Sequence, residues 1–149
     1  MNLRLLGTAG LVAAFTLTAC GSNSGGATLS KADWVTQANA ICKDLNTRSN
    51  AVKPTSMADL GTAMNSISQI ATEDIAKLSA LKPPAEIQSD VTTLLTSYGQ
   101  INTALKAAAA TAIGGNPTGA LQAMQSSETT LKPAVTAVET RLGLSECSK

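Results

Sequence analysis

The residues best placed to do chemistry in this chain are three cysteines, Cys20, Cys42 and Cys147, and ten acidic side chains; its 149 residues include no histidine. A nucleophile of the Ser-His or Cys-His kind therefore has no partner to take its proton. No glycine-rich phosphate loop and no spaced set of metal ligands occurs. The carboxylates are scattered. Glu73-Asp74 is the one adjacent pair, and successive residues on a helix diverge by about 100°, so a solvated face is expected there rather than an acid–base couple. Glu128 lies three residues before Leu131 and four after Met124, close to an apolar seam. The register Ala120, Met124, Ser127, Leu131 fits equally well and leaves Glu128 at the boundary, which is the reading preferred over a buried functional carboxylate. Met57, Met64 and Met124 could serve as soft metal or haem ligands, with Tyr98 as an axial ligand. Each sits at a core or helix-start position, where methionine fills irregular gaps, and Tyr98 reads as a core aromatic whose hydroxyl reaches the rim. Trp34 is expected to plug the lower end of the core, with a contact to a headgroup or ligand as the alternative. No catalytic residue, no cofactor and no metal site is expected, and the chain does not read as an enzyme.

The elements that must position these residues are helices. Ser30-Lys31-Ala32-Asp33 has the form of a capping box, and Trp34, Ala38, Ile41 and Leu45 follow at helical spacing with Cys42 at the margin of the stripe. This first helix should end near Asn50, before Val52-Lys53-Pro54. A second helix is predicted to open at Thr55 or Ser56, with Asp59 in its first turn, and to carry Leu60, Met64, Ile67, Ala71, Ile75, Leu78 and Leu81 on one face. Leu81-Lys82-Pro83-Pro84 stops it, and Pro84-Ala85-Glu86 reads as the first turn of a third helix. There Ile87, Val91, Leu94, Tyr98, Ile101, Leu105, Ala108 and Ala112 form a seam of the coiled-coil kind. Gly114-Gly115-Asn116-Pro117 combines a C-cap glycine, an N-cap and an N1 proline. The fourth helix it opens bears Leu121, Met124, Leu131, Val135, Val138 and Leu142, with a kink or brief break expected at Pro133 and an end at Gly143. Four amphipathic helices with short connections predict an all-α, antiparallel up-down-up-down bundle.

Residues 1–19 carry one charge, Arg4, and an apolar run from Leu5 to Leu17 that is too short to span a bilayer and ends in small residues. Leu17-Thr18-Ala19-Cys20 resembles the lipobox of bacterial lipoprotein precursors. That resemblance implies that residues 1–19 are a signal peptide, that Cys20 takes a diacylglyceryl group, and that cleavage leaves it as the acylated first residue. The protein would then sit on the extracytoplasmic face of the cell membrane, held through acyl chains on Cys20. Residues 20–29, rich in Gly and Ser, read as a flexible tether whose roughly nine residues span about 15–18 Å, and residues 30–149 as the helical domain. With Cys20 acylated, the odd cysteine count resolves: Cys42 and Cys147 remain as one pair in an oxidising compartment, and a disulfide is expected, two buried thiols being the alternative. Two cysteines alone do not complete a metal shell. The C-terminal tail from Gly143, extending roughly 16 Å, would have to fold back along the first helix to reach Cys42, about 18 Å from that helix's start.

Further residues carry a second resemblance: Ala40 to Asn46 around Cys42, Leu78 to Pro84, and Gly143-Leu144-Ser145-Glu146-Cys147. This pattern of an early helical cysteine, Leu-x-x-Leu-x-Pro-Pro and a final Gly-Leu-x-x-Cys is similar to the small helical lipoproteins of actinobacteria. It implies the bundle and its disulfide, and no mechanism.

Without Arg4 the remaining chain of about 130 residues is charge-neutral. It lacks the basic footprint that nucleic acid or a polybasic membrane patch requires. Trp34 and Tyr98 are its only aromatics, so the core must be aliphatic. The expected function is a non-catalytic binding or interaction module of the cell envelope, its partner another envelope protein. The alternative is a carrier of a small hydrophobic ligand. Core volume discriminates: Ala38, Ala71, Ala108 and Ala112 should let the helices approach closely and fill the centre, whereas splayed helices would leave these small side chains lining an apolar cavity.

Overall fold

The computed structural model describes residues 28–148; the lipobox-like stretch and Cys20 lie outside them. Among these residues the elements are α1 (Lys31–Ala51), α2 (Leu60–Ala80), a single 3-10 turn (Ala85–Ile87), α3 (Gln88–Ile113) and α4 (Pro117–Leu142), with no strand. The Ser30 hydroxyl accepts from the Asp33 amide at 3.1 Å and donates to the Asp33 carboxylate at 2.6 Å. The second arm of the capping box thus closes on the hydroxyl rather than on the Ser30 amide. Asn116 caps α4 by accepting from the Gly119 amide, Pro117 occupies the first turn, and Gly143 ends the helix in the left-handed region at φ 80°.

Cross-helix pairs give the direction of each helix. Asp44 and Arg48 of α1 meet Lys77 and Glu73 of α2. Ser68 of α2 meets Asn102 of α3, and Asp90 and Tyr98 of α3 meet Arg141 and Glu139 of α4. Gly61 of α2 lies against Ile113 of α3, so at each of the three junctions a rising number on one helix pairs with a falling number on the next, and the bundle runs up-down-up-down as its short connections demand.

The core has two parts. The lower cluster draws Trp34 and Ala38 from α1, Leu78 from α2, Val91 and Leu94 from α3, and Val138 and Leu142 from α4. Trp34 is fully buried. It removes about 200 Å² of surface from water, on the order of 5 kcal/mol as an upper bound, which outweighs the cost of its unpartnered indole N–H, about 1–3 kcal/mol. The upper cluster, Met64, Leu105, Ala108, Ala109, Ala112 and Ala120, comes from α2, α3 and α4 alone, since α1 stops short of that end.

Three local expectations change. Residues 55–59 form turns ahead of α2 rather than its first turn. The Ser56 hydroxyl still accepts from the Asp59 amide, but the backbone bonds from Asp59 to Ser56 and from Leu60 to Met57 span three residues, which is 3-10 rather than α geometry. The upper reversal is as expected, with Gly114 as the C-cap of α3 and Gly115 after it at φ 92°. Of the two outcomes expected at Pro133 the break does not occur, since α4 is continuous through it; Thr129 and Pro133 face solvent, so water can serve the carbonyl that the proline ring leaves unbonded. Finally, the deepest line on α1 is Trp34, Ala38 and Cys42, while Ile41 and Leu45 are half-buried. The reason lies in the C-terminal tail.

Candidate functional site

After Gly143 the chain reverses and climbs along α1. Leu144 is buried, and its amide bonds to the Glu139 carbonyl. Asn39 donates to the Gly143 carbonyl at 3.2 Å and accepts from the Glu146 amide at 2.9 Å. Asn46 donates to the Glu146 carbonyl at 2.7 Å. Cys42 and Cys147 are disulfide-bonded, with Cα atoms 4.9 Å apart and 105 positions apart in sequence. Asn39, Cys42 and Asn46 stand at i, i+3 and i+7, one helical face. That face receives the tail as a fifth packed segment and turns Ile41 and Leu45 towards the side. The other terminus is also tied: the Leu29 amide bonds to the Lys82 carbonyl at 2.9 Å, and Leu29 packs on the lower cluster.

Behind the disulfide lies an apolar cavity of about 180 Å³ between α1, α2 and α3, with Cys147 at its edge. Ile41, Leu45, Ala71, Ile75, Ile101 and Leu105 supply its apolar wall. Ala38, Ala108 and Ala112 are buried in close-packed contacts as expected of small residues, but Ala71 is half-buried on this wall. Two open grooves adjoin the cavity. One of about 430 Å³, between α3, α4 and the tail, shares Tyr98 and Ile101 with it. The other, of about 300 Å³, runs between α2 and α4 beyond the end of α1 and shares Leu105.

The polar groups around the cavity were only partly foreseen. Glu73 is exposed and pairs with Arg48, but Asp74 is 1% exposed; the expectation of a solvated Glu73-Asp74 face holds for the first residue alone. The reversal has a physical cause: Lys77 donates to Asp74 Oδ1 at 2.6 Å and Arg48 approaches the same oxygen at 3.5 Å, so two cations accompany this carboxylate under α1. The hydrogen bond to Asp74, against desolvation, raises the Lys77 pKa, and the bond to Glu73 raises that of Arg48; both remain cationic. Asp74 Oδ2 has no hydrogen-bond partner.

Asn102 is buried on α3 and engaged at both ends of its amide: Ser68 donates to its Oδ1 and it donates to Thr72, both at 2.8 Å. Across the tail, the Tyr98 hydroxyl donates to Glu139 Oε1 at 2.7 Å, with Glu139 buried. Glu139 stands three residues before Leu142 just as Glu128 stands three before Leu131; Glu128 is exposed, as expected. What separates them is Tyr98 opposite Glu139, a partner that spacing along α4 cannot reveal.

The remaining candidates fall as follows. Trp34 and Met64 are core residues, Met57 is exposed, and Met124 is half-buried beside the grooves. Among the described residues no group of three or more His, Cys, Asp or Glu could hold a metal ion, and no helix is long and apolar enough to cross a membrane. No protein-family model, curated protein or solved structure gives a significant match to this chain.

Proposed function

We propose that this chain is a lipoprotein displayed on the extracytoplasmic face of the cell membrane through acylated Cys20, and that it acts by non-catalytic binding of a small apolar ligand. The observation that supports the ligand is the apolar cavity beside Ala71, with two grooves that share lining residues with it. Ligand sites are typically concave, mostly apolar and furnished with few polar groups, and this one has that character. The chain without histidine supports binding over catalysis. The lipobox resemblance supports the anchor, and the short tether would hold the bundle near the lipid surface.

Native mass spectrometry and solvent extraction of the protein purified from its own envelope test the reading. A small apolar compound in stoichiometric amount is expected. An empty protein that crosslinks to one envelope protein would overturn it in favour of a protein-interaction module. That second reading has its own support in Met57, Ile113 and Leu121, which are 52%, 64% and 38% exposed at the end of the bundle away from the start of α1.

A further inference from the structure

Four residues divide the space around the disulfide. Asn46, Tyr98, Ile101 and Cys147 line both the apolar cavity between α1, α2 and α3 and the open groove between α3, α4 and the tail. Tyr98 and Ile101 belong to α3, which lies close to α2 on one side and to α4 on the other, so this half of the partition is fixed. Cys147 belongs to the tail. Among the described helices α1 comes close, backbone to backbone, to α2 alone. What ties α1 to the groove side is the Cys42–Cys147 bridge, together with the bonds of Asn39 and Asn46 to Gly143 and Glu146. Neutral hydrogen bonds each contribute little net stability, whereas ordering the last residues of a chain costs entropy at every position. The covalent bond therefore decides whether the partition stands. Size gives it a consequence. At about 180 Å³ the cavity falls below the roughly 300–1,000 Å³ of a typical ligand pocket; joined to the groove of about 430 Å³, it falls within that range.

We infer that the tail is a redox-operated gate between the two spaces. With the bridge intact the cavity admits a molecule of one ring, since a dry cavity of about 150 Å³ admits benzene. Reduction frees residues 145–148 and joins cavity and groove into one site for an apolar ligand of several rings or a chain of similar bulk. This rests on the cavity being the binding element. The reductant is a dithiol of the thioredoxin-like class. Its thiolate attacks the sulfur of Cys147, which is half-buried and borders the open groove, whereas Cys42 is 1% exposed. The bridge breaks as a mixed disulfide forms on Cys147, and Cys42 leaves as a thiolate that takes up a proton. The second thiol of the reductant then loses its proton and attacks the mixed disulfide, and Cys147 leaves as a thiolate that is protonated in turn. Two electrons and two protons pass to the protein, and the reductant ends as a disulfide.

The test uses purified full-length protein carrying Cys20→Ala, whose only cysteines are Cys42 and Cys147, before and after treatment with dithiothreitol. Toluene is the one-ring probe, read by isothermal titration, and N-phenyl-1-naphthylamine the three-ring probe, read by fluorescence. The near-UV band of Trp34, the only tryptophan and fully buried, reports whether the core persists. The oxidised protein is expected to bind toluene. Reduction should tighten naphthylamine binding by about tenfold or more, because apparent affinity follows the fraction of open molecules, with the Trp34 band retained and the change reversed on reoxidation. Cys42→Ser with Cys147→Ser should behave as the reduced protein without reductant; if that pair fails to fold, the reduced parent decides. Asn39→Ala with Asn46→Ala, bridge intact, should behave as the oxidised protein. Equal naphthylamine binding in the two redox states, opening of the asparagine variant while oxidised, or loss of the Trp34 band on reduction would overturn the gate, while toluene binding would keep the cavity as the binding element. Binding of neither probe in either state would overturn both.

Discussion

Tyr98 shows what a single contact does in this bundle. Burial first, and then its hydrogen bond to Glu139, push the phenol pKa far above the usual tyrosine range. The fold thus favours the neutral phenol. The unfolded chain gives up that proton at about pH 10, so the associated stability is fully present below that pH and is lost as the pH rises beyond it. Because Tyr98 is the only tyrosine, alkaline titration followed by tyrosinate absorbance should show no ionisation until the protein unfolds. An ordinary titration in the folded protein would show that the phenol is not held this way. Tyr98→Phe leaves the buried Glu139 carboxylate without its partner, and a loss of about 1–3 kcal/mol is expected in denaturant unfolding.

At the level of elements, the approach of α2 to α3 is set by Gly61. A Cβ there would lie 2.6 Å from Ile113 Cγ1, 2.8 Å from the Ile113 nitrogen and 3.0 Å from the Ala109 carbonyl oxygen. Backbone cannot swing aside as a side-chain tip can, so Gly61→Ala should destabilise by about 1–3 kcal/mol through overpacking, against a helix-propensity gain of about 1 kcal/mol. Gly99, inside α3, has nothing within 4 Å of its Cβ position. Gly99→Ala should stabilise by up to about 1 kcal/mol. Thermal unfolding of the two variants side by side checks this; a stabilised Gly61→Ala protein would show that the helices can part at little cost. The contrast matters to the cavity, because tight packing at Gly61, Ala108 and Ala112 holds α2 against α3 while the wall at Ala71 stays open.

For the whole molecule, the bridge from Cys42 to Cys147 closes most of the described chain into one loop of about 106 residues. The chain-entropy model attributes about 4–5 kcal/mol to such a closure, with strain and residual structure lowering the realised value. Replacing both cysteines with serine is expected to cost about 2–5 kcal/mol and to raise amide exchange at Leu144 and Glu146 as the tail leaves Asn39 and Asn46. Unchanged stability would mean that the asparagine clamp alone holds the tail. Attachment to the membrane is tested separately: Cys20→Ala should release the protein from the membrane fraction, since stable anchoring requires the acyl chains, and retention would refute the anchor.

By itself the sequence determined what depends on local spacing and termini. The helical periods, Ser30, Asn116, Pro117 and Gly143 at helix ends, and the short connections specify four helices and their antiparallel order, because caps and i, i+3, i+4 periodicity act within a few residues. Cysteine parity, read with the lipobox resemblance, anticipated the disulfide that the structure shows. Only the tertiary structure decided which half-apolar faces close and which remain open. Ala38, Ala108 and Ala112 meet partners at close range, whereas Ala71 faces space, because the tail occupies one side of α1 and α1 itself ends early. It likewise decided that Asp74 and Glu139 are buried while Glu73 and Glu128 are not. Lys77 joins Asp74 from three residues along the same helix, but the partners that come from other helices, Arg48 for Asp74 and Tyr98 for Glu139, lie 26 and 41 positions away and leave no mark on the local pattern of either helix.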